Sequence, residues 1–500
     1  MFKGHPRGLY VLFFTEMWER FGYYTVMAIF VYYLGANFGW SESEVTNVYG
    51  YFLAAVYLTP LLGGWLADNF LGYGRTIMLG AITMICGYAM MAIPTSSPFF
   101  VYIALAIVVL GNGLFKANIS VLVGNLYAHT ESSLKDAGYS IFYMGINVGA
   151  FFAPFAASGI KNYFLDNMGV SEAIAYNAGF GVASVGMLVS LLIFVIFRKY
   201  YKDADYQSKN KTDTTRDLQL TKKQEFDRIV ALAIIFFIVI FFWLAFHQNG
   251  AALSLFAKNY TELSVSKWTF LLFDLPGLLA VLGFILSAVF LLSPKTTNKT
   301  KGISALVLVA GAAVVWWRMS GYSDMNIVDP EKFQAFNPMF IVFLTPLIVG
   351  MFSWLNKKGK EPSSPKKIGI GMFITGLAYV VLIIASYKLP GVYTLDGNVS
   401  ASLISPYWLI GTFFTLTIAE LFISPMGLSF VSKVAPPKLK GLMMGGWFFA
   451  TAVGNYFAGF VGRFYENWEL WQFFLLLVGL SLLSVIMVMM VLKKLERATD

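Results

Sequence analysis

The chain has 500 residues, of which 58% are hydrophobic and only 13% charged, and its mean hydropathy is +0.67. This composition excludes a soluble globular protein and predicts an all-α polytopic membrane protein. Most of the charge lies between apolar runs, so the net charge of +9 reflects membrane topology and predicts no nucleic-acid partner.

Apolar runs that are long enough to cross a bilayer predict fourteen transmembrane helices along the chain. The predicted spans are 9–35, 45–67, 76–96, 98–124, 139–160, 174–197, 229–257, 266–292, 302–320, 335–355, 368–388, 405–431, 442–464 and 470–492. An even number of spans puts both termini on one side of the membrane. Most of the 36 lysines and arginines lie in segments on that side, so the positive-inside rule predicts cytoplasmic termini in a cell membrane.

The first span contains three charged residues, Glu16, Glu19 and Arg20. A charged side chain at the centre of a bilayer costs roughly 3 kcal/mol on insertion scales. At 100° per residue, the three charges share one helical face with Tyr23 and Tyr24, and lipid cannot satisfy that face. The face is either a structural polar seam between helices or part of a substrate or proton pathway. Two carboxylates beside one arginine leave an acid unmatched, which favours the pathway.

Glycines and charges crowd the loop before the third span, which reads GGWLADNFLGYGRT (63–76). We expect Asp68 to cap a neighbouring helix at the membrane edge and Arg75 to pair with it. The spacing G-x-x-x-D-x-x-x-G-R resembles a signature of the major facilitator superfamily.

The longest polar stretch, residues 198–228, is basic and separates six predicted helices from the remaining eight. Such a linker is typical of a transporter whose two helical bundles move against each other. An ordinary cytoplasmic loop is the alternative.

Five motifs in chain order resemble those of the proton-coupled oligopeptide transporter family, called POT or PTR. They are E-x-x-E-R-F-x-Y-Y from Glu16 to Tyr24, GNGLFKANIS (111–120), FYMGINVGAFFAP (142–154), FNP (336–338) and AELFISPMGLSFVSKVAP (419–436). The resemblance implies a major facilitator fold, with two six-helix bundles plus an extra transmembrane hairpin.

The resemblance also implies a division of the chain into domains. These are an N-terminal bundle (1–197), the linker (198–228), the first helix of the C-terminal bundle (229–264), the extra hairpin (265–320) and the remainder of the C-terminal bundle with the tail (321–500). The hairpin would enter the membrane from the outer side, between the first and second helices of the C-terminal bundle. The alternative is that one helix of the bundle is misassigned. Asp274 and Arg318 lie near its outer ends, where we expect an interfacial position.

Two further charges are predicted to be buried in opposite halves of the chain, Lys116 and Glu420. Together they predict a cavity with one positive and one negative wall, which suits a short zwitterionic ligand. A direct salt bridge that holds the two bundles together is the alternative. In the related transporters such a bridge is thought to form and break as substrate and proton bind.

The resemblance assigns roles to individual residues. Arg20 and Lys116 would bind the substrate carboxylate, and Glu420, Asn147 and Asn337 would bind its ammonium group. The full set implied to bind substrate is Arg20, Tyr24, Tyr57, Lys116, Tyr143, Asn147, Trp243, Asn337, Glu420, Ser424 and Trp447. The set implied to couple protons is Glu16, Glu19, Arg20, Lys116, His247 and Glu420. Trp243 and Trp447 would form apolar pockets for substrate side chains.

Two positions depart from the family pattern. Many relatives have an arginine at the position of Met27 and an acid at the position of His247, which together would form an ion pair near the outer gate. Losing both partners strands no buried charge, so we expect this gate to be held differently here. His247 either exchanges protons near neutral pH or serves as a neutral hydrogen-bonding group. In the first case His247→Ala shifts the pH profile of transport, and in the second the profile is unchanged.

The function implied is a symporter that imports di- and tripeptides with protons and works as a monomer, with no cofactor. Two alternatives remain open: a carrier of the same fold for another small zwitterionic or anionic solute, and a membrane peptide sensor that does not transport. The chain contains no H-E-x-x-H, G-x-x-x-x-G-K-[ST] or G-x-S-x-G motif, so an enzyme is not predicted.

Overall fold

A computed structural model describes residues 4–127, 132–205, 221–293, 296–395, 397–436 and 439–497. Most of the predicted linker therefore lies outside the described residues. The helices are α1 (Arg7–Phe38), α2 (Glu42–Leu58), α3 (Pro60–Leu66), α4 (Tyr73–Met91), α5 (Pro98–Asn125), α6 (Ser132–Met168), α7 (Glu172–Ile196), α8 (Lys222–Phe246), α9 (Ala252–Tyr260), α10 (Lys267–Phe270), α11 (Leu275–Leu292), α12 (Asn298–Gly321), α13 (Phe336–Lys357), α14 (Ser364–Ser386), α15 (Pro406–Val434), α16 (Lys440–Asn467) and α17 (Leu470–Arg497). Two strands of three residues each, β1 (Ser264–Ser266) and β2 (Met325–Ile327), form one antiparallel pair.

The described part of the chain contains 12 helical segments that are long and apolar enough to cross a membrane. Three of these segments are compound: α2 continues through α3 to Leu71, α8 continues through α9 to Tyr260, and a 3₁₀ helix (Pro330–Ala335) continues into α13. α1 and α16 have 32 and 28 residues, so they are also long enough to span. The predicted all-α membrane architecture is confirmed.

The helices pack as two groups. In the first, α1 packs against α6 and α7, and α4 packs against α5. In the second, α8 packs against α16 and α17, and α14 packs against α15 and α17. The buried apolar side chains form two matching clusters, one mainly within residues 9–201 and the other mainly within residues 231–495. The groups meet where α2 packs against α16 and α6 packs against α13.

An inserted helix pair lies between α9 and α13 in chain order. β1 and β2 pair at its base, with Val265 opposite Asn326. α11 and α12 pack against each other, and most of their side chains are exposed, as expected for helices that face lipid on most sides. The domain boundaries given above stay predictions.

Asp274 holds the base of the inserted pair together. Its carboxylate accepts the Gly277 backbone N–H at 2.9 Å and so caps α11, and it pairs with Arg318 of α12 at 2.6 Å. Burial acts to raise the pKa of Asp274, but hydrogen bonds from Arg318, Tyr322 and Gly277 lower it below its usual range. The expected interfacial charges are therefore partners in one ion pair.

The loop before α4 is arranged differently from the prediction. Asp68 does not cap α4: its carboxylate accepts a hydrogen bond of 2.7 Å from the Tyr73 hydroxyl. The N-terminus of α4 is instead met by Asp205, which accepts the Gly74 N–H at 2.8 Å and lies 3.8 Å from Arg198. The helix dipole favours a carboxylate at the N-terminus of α4, and Asp205, which follows α7 in the chain, supplies it.

Candidate functional site

A cavity of about 250 Å³ lies between the two helix groups, close to the lower end of the size range of ligand pockets, which favours a small ligand. Every residue predicted to bind substrate lines it. These residues are Arg20, Tyr24, Tyr57, Lys116, Tyr143, Asn147, Trp243, Asn337, Glu420, Ser424 and Trp447. Glu16 and His247 also line the cavity, whereas Glu19 is fully buried behind Arg20.

The charged face of α1 forms a connected network. The Arg20 guanidinium donates to both carboxylate oxygens of Glu19, with its Nη2 2.8 Å from Glu19 Oε1, and Arg20 Nε lies 3.3 Å from Glu16 Oε1. Asn112 of α5 also donates to Glu19 at 3.2 Å. Within the part of the chain that the structure describes, Glu16 Oε2 is buried without a hydrogen-bond partner. Arg20 therefore pairs with both carboxylate oxygens of Glu19, and Glu16 is the acid that can still accept a further hydrogen bond or a proton.

Lys116 occupies the same wall of the cavity as α1. Its ammonium lies 4.0 Å from the centroid of the Tyr57 ring, a cation–π contact between α5 and α2. An aromatic face stabilises an ammonium without neutralising it, so Lys116 keeps its hydrogen-bond donors for a ligand.

Glu420 lies on the other wall. Asn337 Nδ2 donates to Glu420 Oε2 at 2.9 Å and to Thr417 Oγ1 at 3.0 Å, so the amide orients the carboxylate. Residues 417 and 420 share a face of α15 because they are three positions apart. A neutral amide holds the carboxylate in place and leaves its charge uncompensated.

Lys116 and Glu420, both described residues that line the cavity, do not form the direct salt bridge considered as an alternative. The salt bridges described in the cavity involve Arg20 with Glu16 and Glu19 instead. The cavity thus has a cation on one wall and an anion on the other with space between them.

The helix that carries Trp243 and His247 is broken at the cavity. Residues His247–Gly250 form a 3₁₀ turn between α8 and α9. The rings of Trp243 and His247 stack with centroids 5.3 Å apart, and the His247 ring lies 6.0 Å from the Tyr57 ring. Irregular backbone is tolerated inside a membrane where it lines a cavity. The sequence pattern predicted an uninterrupted span here.

The contact between α1 and α9 uses neutral groups and lies further along both helices than Met27 and His247, the positions of the ion pair expected in relatives. The Tyr32 hydroxyl donates to the Ser254 carbonyl oxygen at 2.9 Å. Gln334 Nε2 donates to Ser254 Oγ at 2.7 Å and to the Asn249 carbonyl oxygen at 2.8 Å. Asn249 and Gln334 line the cavity and were missed from the sequence. The signal for Gln334 was its place three residues before Asn337, which is one helical turn.

Charged residues join the two helix groups at the distal end, which we define as the end of the helices opposite the two termini. The distal ion cluster comprises Ser158, Lys161, Asn162, Asp329, Glu331 and Lys332. Lys161 Nζ lies 3.1 Å from Asp329 Oδ1 and 2.5 Å from Glu331 Oε1. Ser158 and Asn162 donate to Asp329 at 2.7 Å and 3.0 Å. The cluster was missed because its members come from loops and helix ends far apart in the sequence.

The pKa of Asp329 reflects these contacts. Burial acts to raise it, but the ammonium groups of Lys332 and Lys161 and the hydrogen bond from Ser158 lower it from 3.8 to about 2. Asp329 is therefore ionised throughout the physiological pH range.

Further contacts at the distal end join the two helix groups: Arg463 Nε donates to Asn47 Oδ1 at 2.8 Å, and Asn259 donates to Glu42.

A larger cavity of about 550 Å³ lies outside this site, between α1, α6 and residues 273–276. Its lining is mostly apolar, and its charged members, Asp274 and Lys332, are paired with Arg318 and Asp329. The smaller cavity has the convergent unpaired charges, so we take it as the functional site.

Comparisons with known proteins fit this geometry. The sequence model of the POT family matches residues 74–226 and 304–472. The di-/tripeptide transporter of Lactococcus lactis subsp. cremoris is 30% identical over 487 residues, covering 91% of this chain and 88% of that protein. The dipeptide and tripeptide permease A of Escherichia coli (strain K12) is 28% identical over 471 residues, covering 91% and 84%.

Solved structures agree with the fold. A mutant of the peptide transporter POT in complex with alafosfalin has a TM-score of 0.76 and 26% identity, covering 100% of this chain and 96% of that one. A tetrameric PepTSo2 has a TM-score of 0.68 and 22% identity, covering 98% of each chain. These matches are to transporters and not to enzymes, and they confirm the predicted helical fold.

Proposed function

The chain belongs to the POT family, and from this premise we propose that it imports di- and tripeptides together with protons by alternating access. The family membership confirms the resemblance that the five sequence motifs indicated. The curated relatives named as di- and tripeptide transporters support the substrate class. The chain is a multi-pass membrane protein, and we propose cytoplasmic termini in a cell membrane and a monomer as the working unit.

One observation carries the proposal: Lys116 and Glu420 line the same cavity from opposite helix groups without forming a salt bridge. A free peptide has a carboxylate at one end and an ammonium at the other. Arg20 and Lys116 would bind the carboxylate, and Glu420, oriented by Asn337, would bind the ammonium. Charge-assisted hydrogen bonds at both ends would fix the direction of the peptide in the cavity.

The remaining lining residues have supporting roles in this proposal. Asn147 would help Asn337 and Glu420 to hold the ammonium, and the hydroxyls of Tyr24 and Tyr143 would contact the peptide backbone. Asn147 is nearly fully buried beside the cavity, so its amide is held in one place. Trp447 would form an apolar pocket for a side chain of the peptide.

Proton coupling would use the acids beside the peptide. Glu16 has a buried oxygen without a partner, so a proton there removes a charge that Arg20 satisfies only in part. Protonation of Glu16, Glu19 or Glu420 would release an attraction within the cavity and so bias which end of the cavity is open. A ligand shifts this equilibrium only through its different affinity for the two states. Lys116 and His247 complete the proposed coupling set.

The distal ion cluster supports an alternating-access cycle. It joins α6 to the segment before α13 across the boundary between the helix groups. With cytoplasmic termini, the distal end faces outward, and the described conformation is closed toward the outside. Import would require the cluster to separate and re-form once in each cycle.

Labelled dialanine uptake into liposomes, with and without an inward proton gradient, tests the proposal. We expect accumulation only with the gradient, and inhibition by unlabelled dipeptides but not by the free amino acids. Uptake of a different solute without dipeptide competition would favour the alternative carrier. Dialanine binding without flux would favour the sensor.

A further inference from the structure

Two nitrogen atoms on one wall of the cavity, Trp243 Nε1 and His247 Nε2, are buried without a hydrogen-bond partner among the described residues. Both residues line the cavity, and Trp243 is only 8% exposed. An indole N–H can only donate a hydrogen bond. Leaving a buried donor unpaired costs free energy, so an unpaired donor beside a cavity marks a place where a ligand acceptor fits.

The two nitrogens belong to one surface. Trp243 and His247 are one helical turn apart, and their rings stack at an angle of 23°. The His247 ring lies 6.0 Å from the Tyr57 ring, and the Lys116 ammonium lies 4.0 Å from the centroid of the Tyr57 ring. Lys116, Tyr57, His247 and Trp243 therefore form a continuous wall, which we call the donor wall.

The unpartnered nitrogens of the donor wall favour a strong hydrogen-bond acceptor there. Arg20 contacts both oxygens of Glu19 but only one oxygen of Glu16, and Glu420 lies across the cavity with Asn337. The Lys116 ammonium lies against Tyr57, and it has no carboxylate partner among the described salt bridges. A carboxylate would accept a stronger hydrogen bond from the indole N–H than a neutral amide oxygen would.

We propose that the donor wall is a subsite for the acidic side chain of a substrate's C-terminal residue. This inference rests on the proposed function, because Arg20 and Lys116 would then bind the terminal carboxylate of the peptide. The side chain of the C-terminal residue leaves the backbone next to that carboxylate, so it is the peptide group closest to the donor wall. The protein would therefore prefer dipeptides such as Ala-Glu.

The test uses peptide pairs of matched shape as competitors of labelled dialanine uptake in liposomes. Ala-Glu and Ala-Gln differ by a charged oxygen against an amide nitrogen, and Glu-Ala and Gln-Ala repeat that difference at the other residue. We expect Ala-Glu to inhibit at about tenfold lower concentration than Ala-Gln, since one charge-assisted hydrogen bond has that effect. Glu-Ala and Gln-Ala should inhibit equally.

Variants assign the preference to the donor wall. Trp243→Phe and His247→Phe keep an aromatic ring and remove one nitrogen each, so each should lower the preference for Ala-Glu over Ala-Gln, and the double variant should bring the ratio of the two inhibitory concentrations close to one. Trp354→Phe removes an indole that is 54% exposed outside the cavity, and it should leave the ratio at the wild-type value. Trp447→Phe changes the same residue type elsewhere in the cavity, and it should alter inhibition by both peptides equally.

The outcomes separate the two levels of the proposal. No dialanine uptake by folded wild-type protein would overturn the proposed function and this inference with it. Dialanine uptake with equal inhibition by Ala-Glu and Ala-Gln would overturn the inference alone. A wild-type preference that survives in the double variant of Trp243→Phe and His247→Phe would also overturn it, because the preference would then arise elsewhere in the cavity.

Discussion

The central cavity and the distal ion cluster both hold buried charges between the two helix groups, but they use them differently. In the cluster, Lys161 contacts Asp329 and Glu331 across the boundary between the groups. In the cavity, Lys116 and Glu420 face each other across the boundary without a salt bridge. Charges paired across a boundary stabilise one arrangement of the groups, whereas unpaired charges leave room for a ligand to pair them.

The energetic reason is the cost of desolvation. A buried ion pair contributes little over an apolar pair, but removing one partner leaves a charge that water cannot reach. The cluster therefore resists separation until water or other partners replace its contacts. In the cavity, Lys116 and Glu420 are buried without a salt bridge, and a zwitterionic peptide would supply each of them with a partner of opposite charge.

Removing the cavity charges should have the largest effect. Lys116→Ala and Glu420→Ala should each abolish proton-driven dialanine uptake, because each loses a charge-assisted hydrogen bond of about 1.5–3 kcal/mol and a member of the coupling set. Lys299→Ala, which removes an exposed lysine at the start of α12, is the matched control and should transport normally. Robust gradient-driven uptake by either cavity variant would contradict these assignments.

Breaking the distal ion cluster should shift the conformational equilibrium. Lys161→Met strands Glu331, which is fully buried, and should disfavour the distal-closed state by roughly 3–5 kcal/mol. Spin labels at positions 167 and 402, in a Cys86→Ser background, should report a longer distal distance than in wild type. Lys388→Met, an exposed distal lysine, is the control.

A double variant tests whether the unpaired charge of Glu331 causes the longer distal distance. Lys161→Met with Glu331→Gln removes the stranded charge, so the distance distribution should return toward the wild-type one. If Lys161→Met alone leaves the distal distance unchanged, the cluster does not hold that end closed.

Acid should remove the contribution of Asp329 to stability. Its pKa is lowered from 3.8 to about 2, which corresponds to about 2 kcal/mol. A lowered pKa stabilises the fold above the unfolded value and ceases to do so as the pH falls through the folded value. The difference in melting temperature between wild type and Asp329→Asn should thus be constant above about pH 5 and shrink between about pH 4 and pH 2.

The exposed carboxylate Asp324 supplies the control for this titration, since Asp324→Asn should change the melting temperature little at any pH. A difference for Asp329→Asn that persists unchanged to pH 2 would show that the amide is destabilising for reasons other than its charge.

The ion pair of the inserted hairpin should matter least. Asn caps a helix about as well as Asp, so Asp274→Asn retains the α11 cap and loses only the pairing with the partly exposed Arg318. We expect a loss of at most about 1 kcal/mol, smaller in 1 M salt, with normal dialanine uptake. Lost uptake at normal stability would mean that the hairpin takes part in transport.

The sequence predicted the cavity better than the cluster, for a physical reason. Glu16, Arg20 and Lys116 lie within apolar spans, where a charge is costly enough to mark a site by itself. Helical periodicity then put the charges of α1 on one face. Lys161 and Asp329 lie near helix ends, where charges are common, and only the tertiary fold brings them together.

The break in the helix at His247–Gly250 is a second feature that the sequence pattern did not predict. The residues of α8 and α9 are apolar enough to predict one continuous span, and nothing in that pattern marks the 3₁₀ turn. The cap of α4 by Asp205 was missed for the same reason as the cluster, because a carboxylate beyond α7 competes successfully with the nearby Asp68.

Simultaneous recording of dialanine uptake and internal pH in liposomes tests the central claim most directly. With no imposed pH gradient, adding external dialanine should acidify the interior of liposomes that contain wild-type protein. Lys116→Ala liposomes should show neither uptake nor acidification. Dialanine accumulation without any proton movement would contradict the account, because the cavity acids would then play no part in transport.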